Sequence, residues 1–251
     1  MRERAMTIIE SDVRLATRLA TEAGDILLGI QRSGTDGGKK LGDVGDAQAN
    51  AYLMRELRNA RPDDSILSEE EADSAARLSA KRVWIIDPLD GTREYGEGRT
   101  DWAVHVALVI DGIATVGAVA LPALHVTLTS DRPLPLKRAN APLKMLVSRT
   151  RPAAEAVAVA EKIGADLLPM GSAGAKAMAV VRGEADIYLH TGGQYQWDNA
   201  APVAVAQAAG LYCARVDGSP LVYNQPETLL PDLLICRPEL TEAVMRALTA
   251  L

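Results

Sequence analysis

The feature that most restricts the fold is an apolar stretch that ends abruptly in two carboxylates. Residues 82–86 (RVWII) are typical of a buried strand, and the run DPLDGT follows without a break. Pro88 fixes one turn and Gly91 permits the next. Asp87 and Asp90 can therefore project from the strand end toward one point. The pattern indicates an α/β architecture, because such sheets commonly place ligand sites at the carboxyl ends of strands.

The remaining sequence alternates between helical and strand-like segments, which supports that fold class. Apolar residues recur at helical spacing in residues 11–31, with Ser11 as the N-cap. Asp111 and Gly112 predict a hairpin turn between two strands, and Pro152 is placed at the first position of a helix. We predict the other helices at residues 44–60, 152–163, 172–182, 197–209 and 238–251, and the other strands at 65–67, 103–110, 114–121, 143–148, 185–190 and 211–216.

Two irregular segments divide this pattern. Residues 33–40 are rich in glycine and predict a mobile loop. Residues 130–142 are rich in Pro, Arg and Lys and predict a boundary between two halves. The N-terminal half would comprise residues 1–130 with the DPLDGT run, and the C-terminal half would comprise residues 131–251.

Composition excludes several classes of protein. The 251 residues carry a net charge of −6, which is unfavourable for general binding to nucleic-acid backbones. No apolar run approaches the roughly 20 residues of a membrane span, and no signal peptide is apparent at the start. Cys213 and Cys236 form no CxxC pair, so we expect reduced thiols and a cytoplasmic protein. The three histidines lack zinc-site spacing, and His105 is expected to be a core or site-lining residue.

The DPLDGT run taken alone is compatible with a turn, because Asp, Pro and Gly are common turn residues. A metal site is better supported when other acidic residues of the chain are considered with this run. Glu69 follows a predicted strand, and Asp46 and Asp198 lie near the starts of predicted helices. Each has a simpler explanation, as a helix cap or a solvated charge. Together they favour a bound cation, and an oxygen-rich site favours Mg²⁺, Mn²⁺ or Ca²⁺ over zinc.

Three motifs resemble those of the lithium-sensitive, magnesium-dependent phosphomonoesterase superfamily that includes the inositol monophosphatases. That family carries a Glu-Glu pair after a strand, then W-I-[IV]-D-P-[LI]-D-G-T, then W-D-x-[AG]-[AG]. The same motifs stand in this order at residues 69–70, 84–92 and 197–201. The resemblance spans nearly the whole chain. It implies an α/β layered sandwich of αβαβα, sugar-phosphatase type, with the metal site between two halves.

The resemblance also implies two to three Mg²⁺ ions and their ligands. Glu69, Asp87 and the Leu89 carbonyl would hold the first ion. Asp87, Asp90 and Asp198 would hold the second, with Asp87 bridging. A third, weaker site would lie near Glu69.

The same resemblance implies that Thr92 and Asp46 position and deprotonate the attacking water. It also implies that Glu69 is a further catalytic residue. The chemistry is consistent, because cations can bind the ester oxygens and lower the pKa of a bound water. Thr92 can accept a hydrogen bond from the water and donate its own proton to Asp46. Gly91 and Thr92 should open a helix whose N–H groups face the phosphate.

The substrate is suggested by residues 171–178, where the superfamily builds its substrate wall. CysQ-type 3′(2′),5′-bisphosphate nucleotidases carry Ser-x-x-Lys there. Here Lys176 follows Ser172 by four positions, so the pattern is stretched by one residue, or Ala173 or Gly174 takes the Ser place. Lys176 would bind a second phosphate, or else lie on the surface of an amphipathic helix. Predicted substrate-binding residues are Gly91, Thr92, Ser172, Lys176 and Asp198.

Aromatic residues near these motifs could stack on an adenine or serve as packing. Tyr195, Trp102 and Trp197 are the candidates. The resemblance thus implies hydrolysis of the 3′-phosphate of 3′-phosphoadenosine 5′-phosphate to AMP, in sulfur assimilation, with lithium inhibition and a small-molecule nucleotide as partner. It leaves open an inositol-1-phosphate or sugar phosphatase and a non-catalytic metal- or nucleotide-binding protein. Homodimerisation is possible, and no nucleic-acid or membrane partner is expected.

Overall fold

The computed structural model describes residues 10–33 and 37–251, and it stacks helices and sheets in five alternating layers. The helices of the described part are α1 (Asp12–Arg32), α2 (Lys39–Ala60), α3 (Thr92–Gly96), α4 (Ala154–Ile163), α5 (Ala173–Val181), α6 (Gln196–Ala208) and α7 (Thr241–Thr249). Short 3₁₀ helices lie at Ala75–Ser79, Pro122–Leu124 and Pro238–Leu240. The layered α/β sandwich predicted from the sequence is confirmed.

The first sheet of the described residues contains β1 (Ser65–Ser68), β2 (Arg82–Asp90), β3 (Ala103–Ile110), β4 (Ile113–Leu121) and β5 (Val126–Thr129). The strands follow one another in that order, with β1 parallel to β2 and the other pairs antiparallel. Asp111 and Gly112 both have positive φ and connect β3 to β4, as expected for a tight hairpin.

The second sheet contains β6 (Leu143–Ser148), β7 (Ala165–Met170), β8 (Ile187–Tyr195), β9 (Tyr212–Ala214) and β10 (Leu229–Cys236). Its spatial order is β7-β6-β8-β10-β9. The segment at 130–142 carries no helix or strand and connects the two sheets. Helix α6 from the second half packs closely on β3 and β4 of the first, so the two halves share a core. The predicted division into halves at residue 130 therefore stays a prediction.

Side-chain alternation along β3 assigns its two faces to different cores. Val104 and Val106 pack in the outer core against α1 and α2. Ala103 and Ala107 pack in the middle core with α5, α6 and the second sheet. A third core lies between the far face of the second sheet and helices α4 and α7. The layer order is therefore helix, sheet, helix, sheet, helix.

Proline explains two of the strands that the sequence interpretation missed. Pro231 lies in β10 at the register shift against β8, where a strand tolerates the missing N–H. Pro169 lies in β7, which is an edge strand. The third missed strand, β5, is a four-residue edge strand.

Several predicted boundaries also require correction. Helix α2 begins at Lys39, so the last residues of the predicted loop are helical, while residues 34–36 of that loop lie outside the described residues. Asp46 consequently lies in the second turn of a long helix rather than at its start. Pro152 precedes the N-cap Ala153 of α4 and is not the first helical residue.

The two cysteines are free thiols, and Cys236 is buried. Cys213 pairs with Ile235 across β9 and β10, so Cys236 points to the opposite face of that sheet. In the described residues, no helix combines the length and apolar character needed to cross a bilayer.

Candidate active site

Asp87 and Asp90 lie in the last part of β2, where its pairing with β3 is interrupted. Asp87 pairs with His105 and Asp90 with Ala103, with a register shift between them. Such a bulge re-aims side chains at a strand end. Both carboxylates are buried, and the Asp87 carboxylate also accepts the backbone N–H of Leu89 at 3.0 Å.

Asp198 reaches the same point from another layer. It is the third residue of α6, and its carboxylate accepts the backbone N–H of Tyr195 at 2.6 Å, which caps the helix. One carboxylate oxygen from each of Asp87, Asp90 and Asp198 lies within 4.8 Å of the others. Three convergent carboxylates form an all-oxygen donor set of the kind that hard divalent cations prefer.

The electrostatics of this cluster favour a cation. Burial, followed by the negative charges of Glu69 and Asp90, raises the pKa of Asp87 well above its usual value. Burial and the charge of Asp90 raise the pKa of Asp198 to about 6. A bound divalent cation would offset this repulsion and hold the carboxylates ionised. The residues present therefore fit the metal that the sequence implied.

Glu69 is the first residue after β1. The residue is exposed to solvent, but protein packed around its carboxylate and the charges of Asp198 and Asp46 raise its pKa to about 8. Asn50 of α2 holds the segment around Glu69 through two hydrogen bonds. The Ser68 hydroxyl donates to the Asn50 amide oxygen at 2.8 Å, and the Asn50 amide donates to Glu71 at 2.9 Å.

Thr92 and Asp46 form the second functional pair. The Thr92 hydroxyl lies 3.0 Å from a carboxylate oxygen of Asp46 and 3.1 Å from the Leu89 carbonyl. The other carboxylate oxygen of Asp46 is buried without a partner among the described residues. Burial, opposed by the Thr92 hydrogen bond, raises the pKa of Asp46 to about 7. A carboxylate with such a pKa is suited to exchanging a proton near neutral pH.

The N-cap and first turn of α5 surround Asp90 with donors. The Ser172 hydroxyl and the backbone N–H groups of Ala173 and Gly174 all donate to its carboxylate. Burial opposes the charged form, but the positive charge of His105 and these hydrogen bonds lower the pKa of Asp90 to about 2. Asp90 therefore stays ionised while its neighbours resist ionisation.

His105 is a site residue whose contacts the sequence interpretation did not predict. Its Nδ1 lies 3.0 Å from the Trp197 carbonyl and its Nε2 lies 3.2 Å from Asp90 Oδ2. Burial opposes its protonation, but the charge of Asp90 raises the pKa of His105 above its usual value. The only sequence signal was an imidazole in an otherwise apolar strand.

Lys176 is buried, with 5% of its surface exposed, and does not lie on an exposed helix face. Its ammonium donates to the carbonyls of Ser172 at 2.5 Å and Gly171 at 3.3 Å, and lies 5.3 Å from the centre of the Tyr188 ring. These contacts tie the loop before α5 to the second sheet. Its predicted role as a ligand of a second phosphate stays a prediction.

The aromatic candidates differ in accessibility. Trp102 is fully buried and packs edge-on against Tyr95, so it is a core residue and not an adenine-stacking surface. Tyr195 is 45% exposed and stacks on Trp197 with ring centres 4.7 Å apart. This stacked pair precedes Asp198 in the chain, and it leaves part of the Tyr195 ring exposed to solvent.

The comparison with known families agrees with this geometry. The inositol monophosphatase family matches residues 3–250. The chain belongs to the inositol monophosphatase family. A solved structure of the family has a similar fold. CysQ from Bacteroides thetaiotaomicron, a bacterial member of the family, superposes on this chain with a TM-score of 0.78 at 23% identity, and the match covers 90% of this chain and 97% of that one.

Two curated relatives narrow the comparison. The chain is 47% identical over 250 residues to the 3′-phosphoadenosine 5′-phosphate phosphatase of Mycobacterium leprae (strain TN), covering 94% of this chain and 92% of the relative. It is 29% identical over 236 residues to the 3′(2′),5′-bisphosphate nucleotidase CysQ of Escherichia coli (strain K12), covering 85% and 94%. A chain of this family with such relatives is a phosphoric monoester hydrolase.

The structure brings most of the predicted site residues together. Three metal-ligand candidates converge, and the Thr92 hydroxyl meets Asp46 as expected. Gly91 caps α3 with φ of 92°, a conformation that favours glycine. The Leu89 carbonyl as a metal ligand, and Gly91, Thr92, Ser172 and Asp198 as substrate contacts, stay predictions.

Proposed function

We propose that this protein is a Mg²⁺-dependent phosphomonoesterase that hydrolyses the 3′-phosphate of 3′-phosphoadenosine 5′-phosphate, giving AMP and phosphate. The observation that carries the proposal is the convergence of Asp87, Asp90 and Asp198 beside the Thr92–Asp46 pair. The substrate follows from the curated relative at 47% identity, whose name specifies this nucleotide.

Two to three Mg²⁺ ions would bind to Glu69, Asp87, Asp90, Asp198 and the Leu89 carbonyl. When bound, these ions neutralise the phosphate and acidify a water molecule. The buried carboxylates then have a charge partner, and the donors around Asp90 hold that ligand in one orientation. The positive charge at this site would offset the repulsion between carboxylates that raises the pKa of Asp87.

The Thr92–Asp46 pair would handle the proton of the attacking water. Because the Thr92 hydroxyl donates its proton to Asp46, its oxygen lone pairs remain available to accept a hydrogen bond from water. Asp46, with a pKa of about 7, can take up the released proton. The water oxygen forms the new bond to phosphorus, the bond to the ribose 3′-oxygen breaks, and that oxygen leaves as a hydroxyl after protonation by solvent.

A nucleotide bisphosphate also needs a place for its base and its second phosphate. The exposed face of Tyr195 beside Trp197 suits an adenine. Arg151 follows the carboxyl end of β6, and in the described part of the chain its exposed guanidinium makes no ion pair. Burial lowers the pKa of His190, and the charges of Lys176 and Arg151 act in the same direction against the hydrogen bond to Gly193, so both cations act on this residue of β8.

One observation favours the alternative, an inositol-1-phosphate or sugar phosphatase. The Lys176 ammonium is occupied by backbone carbonyls, and a monophosphate substrate would not require it. The third reading, a binding protein without catalysis, has no comparable support.

Cytoplasmic location, a role in sulfur assimilation, lithium inhibition and a homodimer belong to this proposal as well. The proposal is tested by Mg²⁺-dependent phosphate release from wild type and from Asp90→Asn. We expect the variant to lose at least about 100-fold in kcat, with Asp166→Asn, at an exposed position, as the control. Equal turnover by Asp90→Asn and wild type would exclude the assigned metal site.

A further inference from the structure

His105 occupies a position where the fold otherwise places small apolar side chains. It lies on β3 between Ala103 and Ala107, on the face that borders the middle core. Its side chain is fully buried, with 0% exposure. Burying an imidazole is unfavourable unless its nitrogens find partners, so the partners indicate what the residue does.

The two ring nitrogens face acceptors from two different layers. Nδ1 lies 3.0 Å from the Trp197 carbonyl in the first turn of α6, and Nε2 lies 3.2 Å from Asp90 Oδ2 at the end of β2. The Trp197 carbonyl can only accept, so Nδ1 acts as the donor there, whereas Nε2 contacts the Asp90 carboxylate at ion-pair distance without the geometry of a hydrogen bond. The ring thereby connects the strand that carries one metal-ligand candidate with the helix that carries another.

The start of α5 leaves space for this ring and for nothing more. A Cβ added to Gly174 would lie 2.0 Å from His105 Nε2. The Gly174 N–H nevertheless donates to the same Asp90 oxygen at 2.6 Å. The first turn of α5 and the His105 ring therefore contact one carboxylate from two sides.

We propose that His105 is a positioning residue of the metal site, which sets the Asp90 carboxylate relative to the first turn of α6 and hence to Asp198. The inference rests on the proposed metal site, but not on which phosphate ester is hydrolysed. Mg²⁺ demands near-ideal octahedral geometry. Ligands from two separate layers therefore need a rigid connection between them, and His105 supplies it. The residue acts through Asp90 and the Trp197 carbonyl.

The direct test is Mg²⁺ binding to the full-length chain, measured by isothermal titration calorimetry without substrate. We expect His105→Ala to raise the Mg²⁺ dissociation constant by about 10- to 100-fold, the usual effect of removing a partner of a metal ligand. His105→Asn, which keeps an amide donor, should recover part of that loss. His125→Asn is the control, because His125 is exposed and has a positive φ that asparagine tolerates.

Thermal unfolding of the metal-free variants separates positioning from general stability. If His105→Ala does not fold, His105→Asn decides the question by the same binding measurement. Mg²⁺ binding by the folded variant within about twofold of wild type would overturn the inference and leave the proposed function standing. A wild-type chain that binds neither Mg²⁺ nor Mn²⁺ would overturn both.

Discussion

Gly42 of α2 lies so close to Thr92 that a Cβ on the glycine would stand 2.5 Å from the threonine Cγ2. Asp46 lies one turn further along the same face of α2, and its carboxylate accepts the Thr92 hydroxyl. The glycine therefore sets the distance at which helix and hydroxyl meet. A long helix with one small residue acts as the rigid support for the proposed proton-handling pair.

Gly42→Ala should displace Thr92 from Asp46 and lower kcat by about 100-fold, because small misplacements at a reacting centre are this costly. Gly29→Ala in α1 is the matched control, since nothing lies within 4 Å of an added Cβ there. The control should keep full activity and gain about 0.5–1 kcal/mol in stability from higher helix propensity. Steady-state kinetics and urea unfolding distinguish the two; equal activity in both variants would contradict the account.

Thr92→Val and Asp46→Asn should each reduce kcat by about 10²- to 10⁴-fold, the usual range for lost acid–base assistance. Because the two side chains act as one unit, the double variant should be little worse than either single one. Thr115→Val, at an exposed position on β4, is the control. Fully multiplicative losses in the double variant would show that the two residues act independently.

The stability of the metal-free protein should fall as the pH rises toward 8. Asp198, Asp46 and Glu69 have pKa values of about 6, 7 and 8, all above their ordinary values. The folded state then binds more protons than the unfolded state, so the free energy of unfolding decreases with rising pH in this window. Mg²⁺ replaces those protons, so the rise in Tm on adding Mg²⁺ should be larger near pH 8 than near pH 6.

The check is a thermal-unfolding series with and without Mg²⁺. Asp90, whose pKa is about 2, does not titrate in this range. Glu69→Gln should flatten the pH dependence of the metal-free protein, because it removes the carboxyl with the highest pKa value of the three. A Mg²⁺-induced shift that is the same at both pH values would contradict the explanation.

Substitution of Lys176 and of Arg151 should affect substrates differently. Lys176 is bonded to backbone carbonyls, so Lys176→Met should slow hydrolysis of bisphosphate and monophosphate substrates alike, with a lower Tm. Arg151 is exposed, so Arg151→Ala should raise the KM for bisphosphates alone. A loss confined to bisphosphates in Lys176→Met would instead support its sequence-derived role as a phosphate ligand.

The sequence predicted the layered fold and the convergence of acidic residues because the strand-ending motif is local. Asp87, Asp90 and Asp198 needed only their motifs to be assigned. Contacts that depend on packing between layers could not be predicted from the sequence. Nothing in the sequence around His105 indicates the Trp197 carbonyl, because that contact joins residues that are 92 positions apart.

Strand prediction failed where proline conceals a strand. Pro231 and Pro169 argue against strands by composition, yet a bulge and a sheet edge accommodate them. The predicted start of α2 was late because its N-cap, Gly38, has a positive φ and offers no side-chain cap. Such features are decided by tertiary contacts rather than by local preference.

The most direct test of the central claim is phosphate release from 3′-phosphoadenosine 5′-phosphate and from inositol 1-phosphate, each with Mg²⁺ and with excess chelator. The account predicts a kcat/KM for the nucleotide at least about 100-fold above that for the inositol phosphate, since a second phosphate and a stacked base add binding energy. It also predicts that activity disappears with the chelator. Preference for inositol 1-phosphate, or hydrolysis that persists with the chelator, would contradict it.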